Sequence, residues 1–289
     1  MLFLQLITNG IVTGFLYGLL ALSFAVVLSV CKVWHFAHAG VMSVSAYMIY
    51  LFYNMLQLPL WLSFSLTLMI MIAVGFMIDR FGYQPLRKRK SGVLIFFIVS
   101  LMLTTLFENL ISIFFGNQTQ TFSLEDEERY DLGFVNLTSW DLRVIIVCGI
   151  LIAAFLAMIR WTKIGHALNA VATNPEMAET VGINTKSIYA TAVIIASVMA
   201  VPATFLVGQK SGIEPTMGFG VLLTSIVATV VGGVGNYTGA MIAGFLIAIV
   251  ENIGIWQISS QWQHSIVFGI LFLCIIFRPR GLMGQRTGG

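Results

Sequence analysis

The chain has 289 residues, of which 58% are hydrophobic and only 9% charged. A soluble globular domain carries about 25% charged residues, and a mean hydropathy of +0.93 excludes one just as firmly. A formal net charge of +3 says little by its size, and no nucleic-acid partner is expected from it.

The apolar runs are continuous and lack the alternation of barrel strands, which favours helices. A helical span needs about 20 apolar residues, so about eight or nine spans use most of the chain. The expected fold is all-α: a polytopic transmembrane helical bundle forming a single membrane domain over 1–289. Cys31, Cys148 and Cys274 each lie within or beside an apolar run and read as packing residues. No disulfide or metal framework is readable from them.

In chain order, the run from Leu4 to Val30 is too long for a signal-peptide core and lacks a basic n-region, so it reads as a retained span. Gly10, Gly14 and Gly18 give it one face without side chains, where another helix can approach closely. A polar break from Lys32 to Gly40 follows. Its His35 and His38 are three apart and share a helix face, but no acidic or thiol ligand lies nearby, so no metal pair is expected. Spans two and three run over about 40–56 and 60–78, hinged at Pro59. Arg80, Arg87, Lys88, Arg89 and Lys90 then form a basic loop, cytoplasmic by the positive-inside rule and suited to anionic lipid.

Span four, Val93 to Phe115, carries Glu108 and Asn109 inside its apolar length. Ionisable groups at membrane depth are costly and usually face a bundle interior or a wet cavity. A pathway role and a purely structural acid both stay open for Glu108. Residues 116–141 are acidic, with Glu125, Asp126, Glu127, Glu128, Asp131 and Asp141 against Arg129. This loop is expected outside, where it meets a delivery protein or is simply solvated.

Span five, about 142–159, leads into a half-polar insert from Arg160 to Lys186. Lys163 to Ala172 is rich in helix formers. Asn174 offers an N-cap, Pro175 fits the first helical position, and Glu176 complements the helix dipole. A second short helix is expected from Pro175 to Val181, with Gly182 as its left-handed stop. Helices this short are marginal alone, and Leu168, Val171, Met177 and Val181 are available to bury against a partner.

Span six covers about 188–207, and Lys210, Glu214 and Pro215 mark an external turn. Val221 to Val231 reads as a short or broken helix of the kind that lines transporter cavities. Gly232, Gly233, Gly235, Gly239 and Gly244 follow, but without a Lys-Ser or Lys-Thr there is no phosphate-binding P-loop. Glu251 sits in an apolar run, where a pathway role and a satisfied packing contact are both open. A last span, about 265–277, ends at Arg278-Pro279-Arg280-Gly281-Leu282.

Lys32, the five cations of the 80–90 loop, Arg160, Lys163, Lys186, Arg278, Arg280 and Arg286 fall on one side, twelve of the fifteen basic residues. That bias predicts an external N-terminus, a cytoplasmic C-terminus and an odd number of crossings.

The ordered motifs resemble the membrane permeases of branched-chain amino-acid ABC importers. An opening of the form N-G-x-x-x-G-x-x-Y-x-L-x-A-L is matched by Asn9, Gly10, Gly14, Tyr17, Leu19, Ala21 and Leu22. N-F-A-H-G followed by G-A-Y is matched by Phe36, Ala37, His38, Ala46 and Tyr47, with His35, Ala39 and Ser45 departing from it. Tyr83, Pro85, Leu86 and Arg87 resemble Y-R-P-L-R, with Gln84 in place of its first Arg. Glu108 stands where the family tends to have Gln before Asn. Gly165, Ala167, Ala170, Ala172, Asn174, Ala178, Gly182, Ile183 and Asn184 match the family's cytoplasmic coupling pair. Gly232, Gly233, Gly235, Gly239, Ala240 and Glu251 match a glycine-rich stretch with a later acid, and Arg278-Pro279-Arg280-Gly281-Leu282 resembles the R-P-x-G-L in which the family commonly ends.

The resemblance implies an importer subunit in a bacterial or archaeal cytoplasmic membrane, serving branched-chain or related amino acids or amides such as urea. Gly165, Ala170, Asn174, Pro175, Met177, Ala178 and Gly182 would engage the ATPase, and Asn9, His38, Tyr47, Glu108, Asn109 and Glu251 are candidates for the substrate pathway. It also implies two ABC ATPase subunits carrying ATP and Mg, a second permease (homologous or identical), an external substrate-binding protein and the lipid bilayer. No cofactor, metal or catalytic residue is expected on this chain. The competing reading is a self-contained secondary transporter or channel using Glu108 and Glu251 as ion or proton sites.

Overall fold

The computed structural model describes residues 2–122, 128–131, 133, 135–256 and 262–284. Glu125, Asp126 and Glu127 of the acidic loop, and Arg286 of the basic set, lie outside the described residues. The elements run α1 (Leu2–Cys31), α2 (Ala37–Tyr50), α3 (Leu60–Met77), α4 (Gln84–Lys88) and α5 (Val93–Phe115). A two-stranded antiparallel hairpin follows, β1 (Arg129–Asp131) with β2 (Asn136–Thr138). Then come α6 (Ser139–Trp161), α7 (Lys163–Thr173), α8 (Pro175–Thr180), α9 (Thr185–Ser211), α10 (Met217–Gly232), α11 (Tyr237–Gly254) and α12 (Gln263–Phe277).

The expected helical membrane bundle is what forms. Six helices are long and apolar enough to cross a bilayer, and Met217–Gly232 is one of the shorter apolar helices. Sixteen residues rise about 24 Å, short of a hydrocarbon core about 30 Å thick, which agrees with a short or broken segment there. Two boundaries differ from the sequence reading. Span two ends in a π-helical turn over Leu51–Met55, and span three continues through a second one, Ile78–Tyr83, into α4. Much of the basic loop is therefore helical. Two of its cations find partners within the chain: Arg80 bonds Gln84, and Arg87 pairs with Asp79.

The backbone gathers into two compact units. One holds residues 1–25, 125–156 and 223–289, where the glycine face of α1 meets α11 almost backbone to backbone. A Cβ on Gly10 would lie 2.9 Å from Ile249 Cα, and one on Gly244 would lie 2.8 Å from the Gly18 nitrogen. No side chain fits there, which is the use of the small residues. In the same unit the C-terminal motif tucks under the glycine-rich stretch. Leu282 and Met283 donate to the carbonyls of Val231 and Gly232 at 2.8 and 3.0 Å, and Asn236 Nδ2 reaches the Met283 carbonyl at 2.9 Å. These glycines thus serve a backbone crossing; Gly233 and Gly281, both at positive φ, approach so closely that a Cβ on either would collide with the other loop.

The second unit holds residues 26–124 and 157–222. Here α2 packs between α5 and α9, and α3 runs along α9. Close approach is again set by glycine, Gly40 against Thr104 and Gly75 against Ile194. The Ser45 and Thr204 hydroxyls, 2.7 Å apart, link α2 to α9 inside this apolar packing.

Candidate functional site

The insert after α6 is built by three side-chain caps in succession. Thr162 Oγ1 accepts from the Gly165 N–H and starts α7; Asn174 Oδ1 accepts from the Met177 N–H at 3.0 Å and starts α8; Asn184 Oδ1 accepts from Ser187 and starts α9. Each cap satisfies a donor that a helix start leaves orphaned. Pro175 occupies the first turn of α8 as expected, and α8 ends at Thr180, one residue early. Gly182 has φ +85°, and the Gly182 and Ile183 N–H groups reach back to the Glu179 and Ala178 carbonyls, closing the helix in the left-handed turn anticipated from sequence.

The four apolar residues of the insert divide into two pairs. Leu168 and Val171 are fully buried, with Gly165 and Ala178, because α7 and α8 pack on each other and on α9. They are internal core and leave nothing for a partner, a correction to the expectation that all four wait for one. The amphipathic spacing of α7 looks the same whether its apolar side meets its own chain or another. Met177 and Val181 stay 66% and 72% exposed, and Trp161 and Ile164 are exposed as well. Asn174 is exposed at the joint between α7 and α8, while Ala170 and Pro175 are half-buried.

A cavity of about 250 Å³ lies at the base of the insert, lined by Asp79, Gln84, Arg87, Lys88, Glu179, Thr185, Lys186 and Tyr189. Arg87 pairs with the buried Asp79 and lays its guanidinium over the Tyr189 ring, 4.5 Å from its centre. Thr185 donates to Glu179. Asp79 and Tyr189 escaped the sequence reading, since contacts between residues 79, 87 and 189 have no short-range signal. Nearby, His35 Nδ1 and the Tyr83 hydroxyl sit 2.5 Å apart, so two of the family-like motifs meet directly. Burial, and then the neighbouring His38 ring, hold His35 well below the usual imidazole range.

Of the six pathway candidates, Asn9 and Glu251 belong to the first unit and His38, Tyr47, Glu108 and Asn109 to the second. Asn9 accepts from Gln5 at 2.9 Å, and Gln5 in turn exchanges hydrogen bonds with the Asn136 backbone, tying α1 to the hairpin. Glu251 is buried and accepts from the Tyr17 hydroxyl at 3.1 Å. His38 and Tyr47 are fully buried, and Tyr47 belongs to a core cluster with Ala46, Ile111 and Ile213. Asn109 is exposed on an apolar groove with Ile98, Leu101, Met102 and Leu106, and its Nδ2 donates to the Thr105 carbonyl. Glu108 differs from them, because it faces a cavity of about 390 Å³ with Leu101, Thr104, Thr105, Thr216, Phe219 and Gly220.

A family model described as the branched-chain amino acid transport system permease component matches residues 6–276. The chain belongs to that family. Among curated relatives, the high-affinity branched-chain amino acid transport system permease protein LivH of Escherichia coli is 28% identical, the match covering 98% of this chain and 96% of LivH. The corresponding protein BraD of Pseudomonas aeruginosa is 26% identical over the same shares. A solved structure, PsaBC from Streptococcus pneumoniae in complex with Fab, superposes with a TM-score of 0.55 at 10% identity, covering 96% of this chain and 92% of that one. At that identity the likeness shows the fold alone. The chain is thus a multi-pass membrane permease component, with a helical fold shared beyond detectable sequence similarity.

Proposed function

We propose that this permease is the membrane subunit of an ATP-driven importer for branched-chain or related amino acids, or amides such as urea. An external binding protein delivers the solute, a second permease completes the pathway, and two ATPase subunits bind ATP and Mg. The insert carries this reading: a capped two-helix unit whose inner face is sealed by its own chain and whose outer end presents Met177 and Val181 uncovered. An apolar end held out on a rigid, glycine-terminated support suits a docking element. Closure of the ATPases on ATP pushes that element and biases the bundle between inward- and outward-open states.

The acidic loop supports an external surface for the binding protein, and the 12-to-3 basic asymmetry supports an external N-terminus and a cytoplasmic C-terminus. The test is expression with the companion subunits, co-purification, and uptake of radiolabelled leucine and urea into proteoliposomes. Uptake is expected only with ATP inside the compartment that holds the ATPases. Uptake that follows an ion gradient and ignores ATP would overturn the assignment.

A further inference from the structure

We propose that the cavity beside Glu108 is an ammonium-binding subsite, which takes the amino group of the solute on its way through the permease. The inference rests on the transport reading above and adds to it the chemical group that this chain itself recognises.

Glu108 is half-buried, sixteen residues into a 23-residue apolar helix. Among the described residues no cation pairs with its carboxylate and no donor reaches it. Thr104 Oγ1 donates its proton to the Phe36 carbonyl at 2.7 Å, and Thr105 Oγ1 donates to the Leu101 carbonyl at 3.1 Å. A hydroxyl whose proton is committed to a carbonyl has only lone pairs left to offer. The Phe219 ring, 40% exposed, also lines the space, and an aromatic face attracts cations. The wall therefore combines one carboxylate, two hydroxyl oxygens turned acceptor, the Thr216 hydroxyl, which can donate or accept, and one aromatic ring, with no Lys, Arg or His among its lining residues.

Such a surface is complementary to a compact N–H donor bearing positive charge. A carboxylate group would meet like charge there with nothing to neutralise it. A zwitterionic amino acid would enter amine first. At about 390 Å³ the cavity admits a small solute group with accompanying water.

The test reads the local charge directly, apart from transport. Leu101→Cys, an apolar lining position, is made in a permease with Cys31, Cys148 and Cys274 replaced, and the assembled complex is reconstituted. It is labelled with a trimethylammonium-ethyl or a sulfonatoethyl methanethiosulfonate. After correction for reactivity with a free thiol, the cationic reagent is expected to react about tenfold faster or more, the order that a focused local field gives. Glu108→Gln should bring the ratio close to one, and Glu108→Asp should keep most of it. Leucinamide should slow labelling, and 4-methylpentanoate, which lacks the amine, should not.

An unchanged ratio in Glu108→Gln, equal protection by the acid, or no labelling at all would each overturn the subsite. Loss of ATP dependence with the charge preference intact would instead fault the importer reading and leave the subsite standing.

Discussion

At the scale of single residues, two glycines of the insert are required for different reasons. Gly165 lacks space: a Cβ there would lie 2.2 Å from the Met158 carbonyl oxygen. Gly182 has open space around it and is held by its φ of +85° alone. A left-handed conformation costs an ordinary L-residue about 1–2 kcal/mol, less for Asn and more for a β-branched side chain. Gly182→Val is therefore expected to leave the permease inserted but to reduce ATPase co-purification or uncouple hydrolysis from uptake, while Gly182→Asn retains most of both. Gly165→Asn should fail as badly as Gly165→Val. Co-purification and coupled uptake measured for all four variants check the contrast, and equal behaviour of the two Gly182 variants would argue against it.

His35 is kept neutral by the fold. Its folded pKa lies well below the free value, so the folded chain holds it neutral while an unfolded chain takes up a proton below about pH 6.5. The stability it contributes is present above that pH and is lost as pH falls towards the folded pKa. The thermal midpoint of the purified protein should fall between pH 7 and pH 5, and His35→Asn, the residue the family pattern carries, should fall less. An identical decline in both proteins would remove His35 as the cause.

Among elements, the decisive joint is the one between α4 and α9. Arg87 reaches Asp79 on one side and covers the Tyr189 ring on the other, so the end of the α3–α4 rod is tied to the helix that leaves the insert. Asp79 is buried, and breaking a buried pair by removing one partner costs about 3–5 kcal/mol, because the other charge stays behind. Arg87→Met is expected to lower stability by that order. Tyr189→Phe keeps the ring face and should be nearly silent. Tyr189→Leu removes a contact worth about 0.5–2 kcal/mol and should weaken coupling between ATP hydrolysis and uptake more than it lowers the melting temperature. Detergent-phase melting curves beside coupled uptake separate these outcomes, and a silent Tyr189→Leu would show that motion does not pass through this joint.

For the whole molecule, large apolar side chains lie uncovered on the long helices, among them Trp61, Met69, Phe81, Ile113 and Phe114, each about two-thirds exposed or more. On a soluble protein such a surface would aggregate; on a membrane permease it is the face that meets lipid. Cysteines placed at Arg89 and Asn174 should be shielded from impermeant thiol reagents added to intact cells, and one at Glu128 should label. Labelling of Arg89 or Asn174 from outside would reverse the proposed orientation.

Much of the architecture was legible in the sequence. Span four coincides with α5 at Val93–Phe115, and the caps at Asn174 and Gly182 form where local chemistry placed them, since caps and spans depend on residues a few positions apart. The small-residue face of α1 was also readable, although its partner was not. Tertiary structure alone decided which distant motifs meet: the glycine-rich stretch with the C-terminal Arg278–Leu282 motif, His35 with Tyr83, and Arg87 with Tyr189. It also separated the two acids of the apolar helices. Glu251 receives the Tyr17 hydroxyl, while Glu108 faces a cavity rich in acceptors. In an apolar helix every acid looks alike from its neighbours in sequence, and what distinguishes them is the set of donors and acceptors that packing brings within reach.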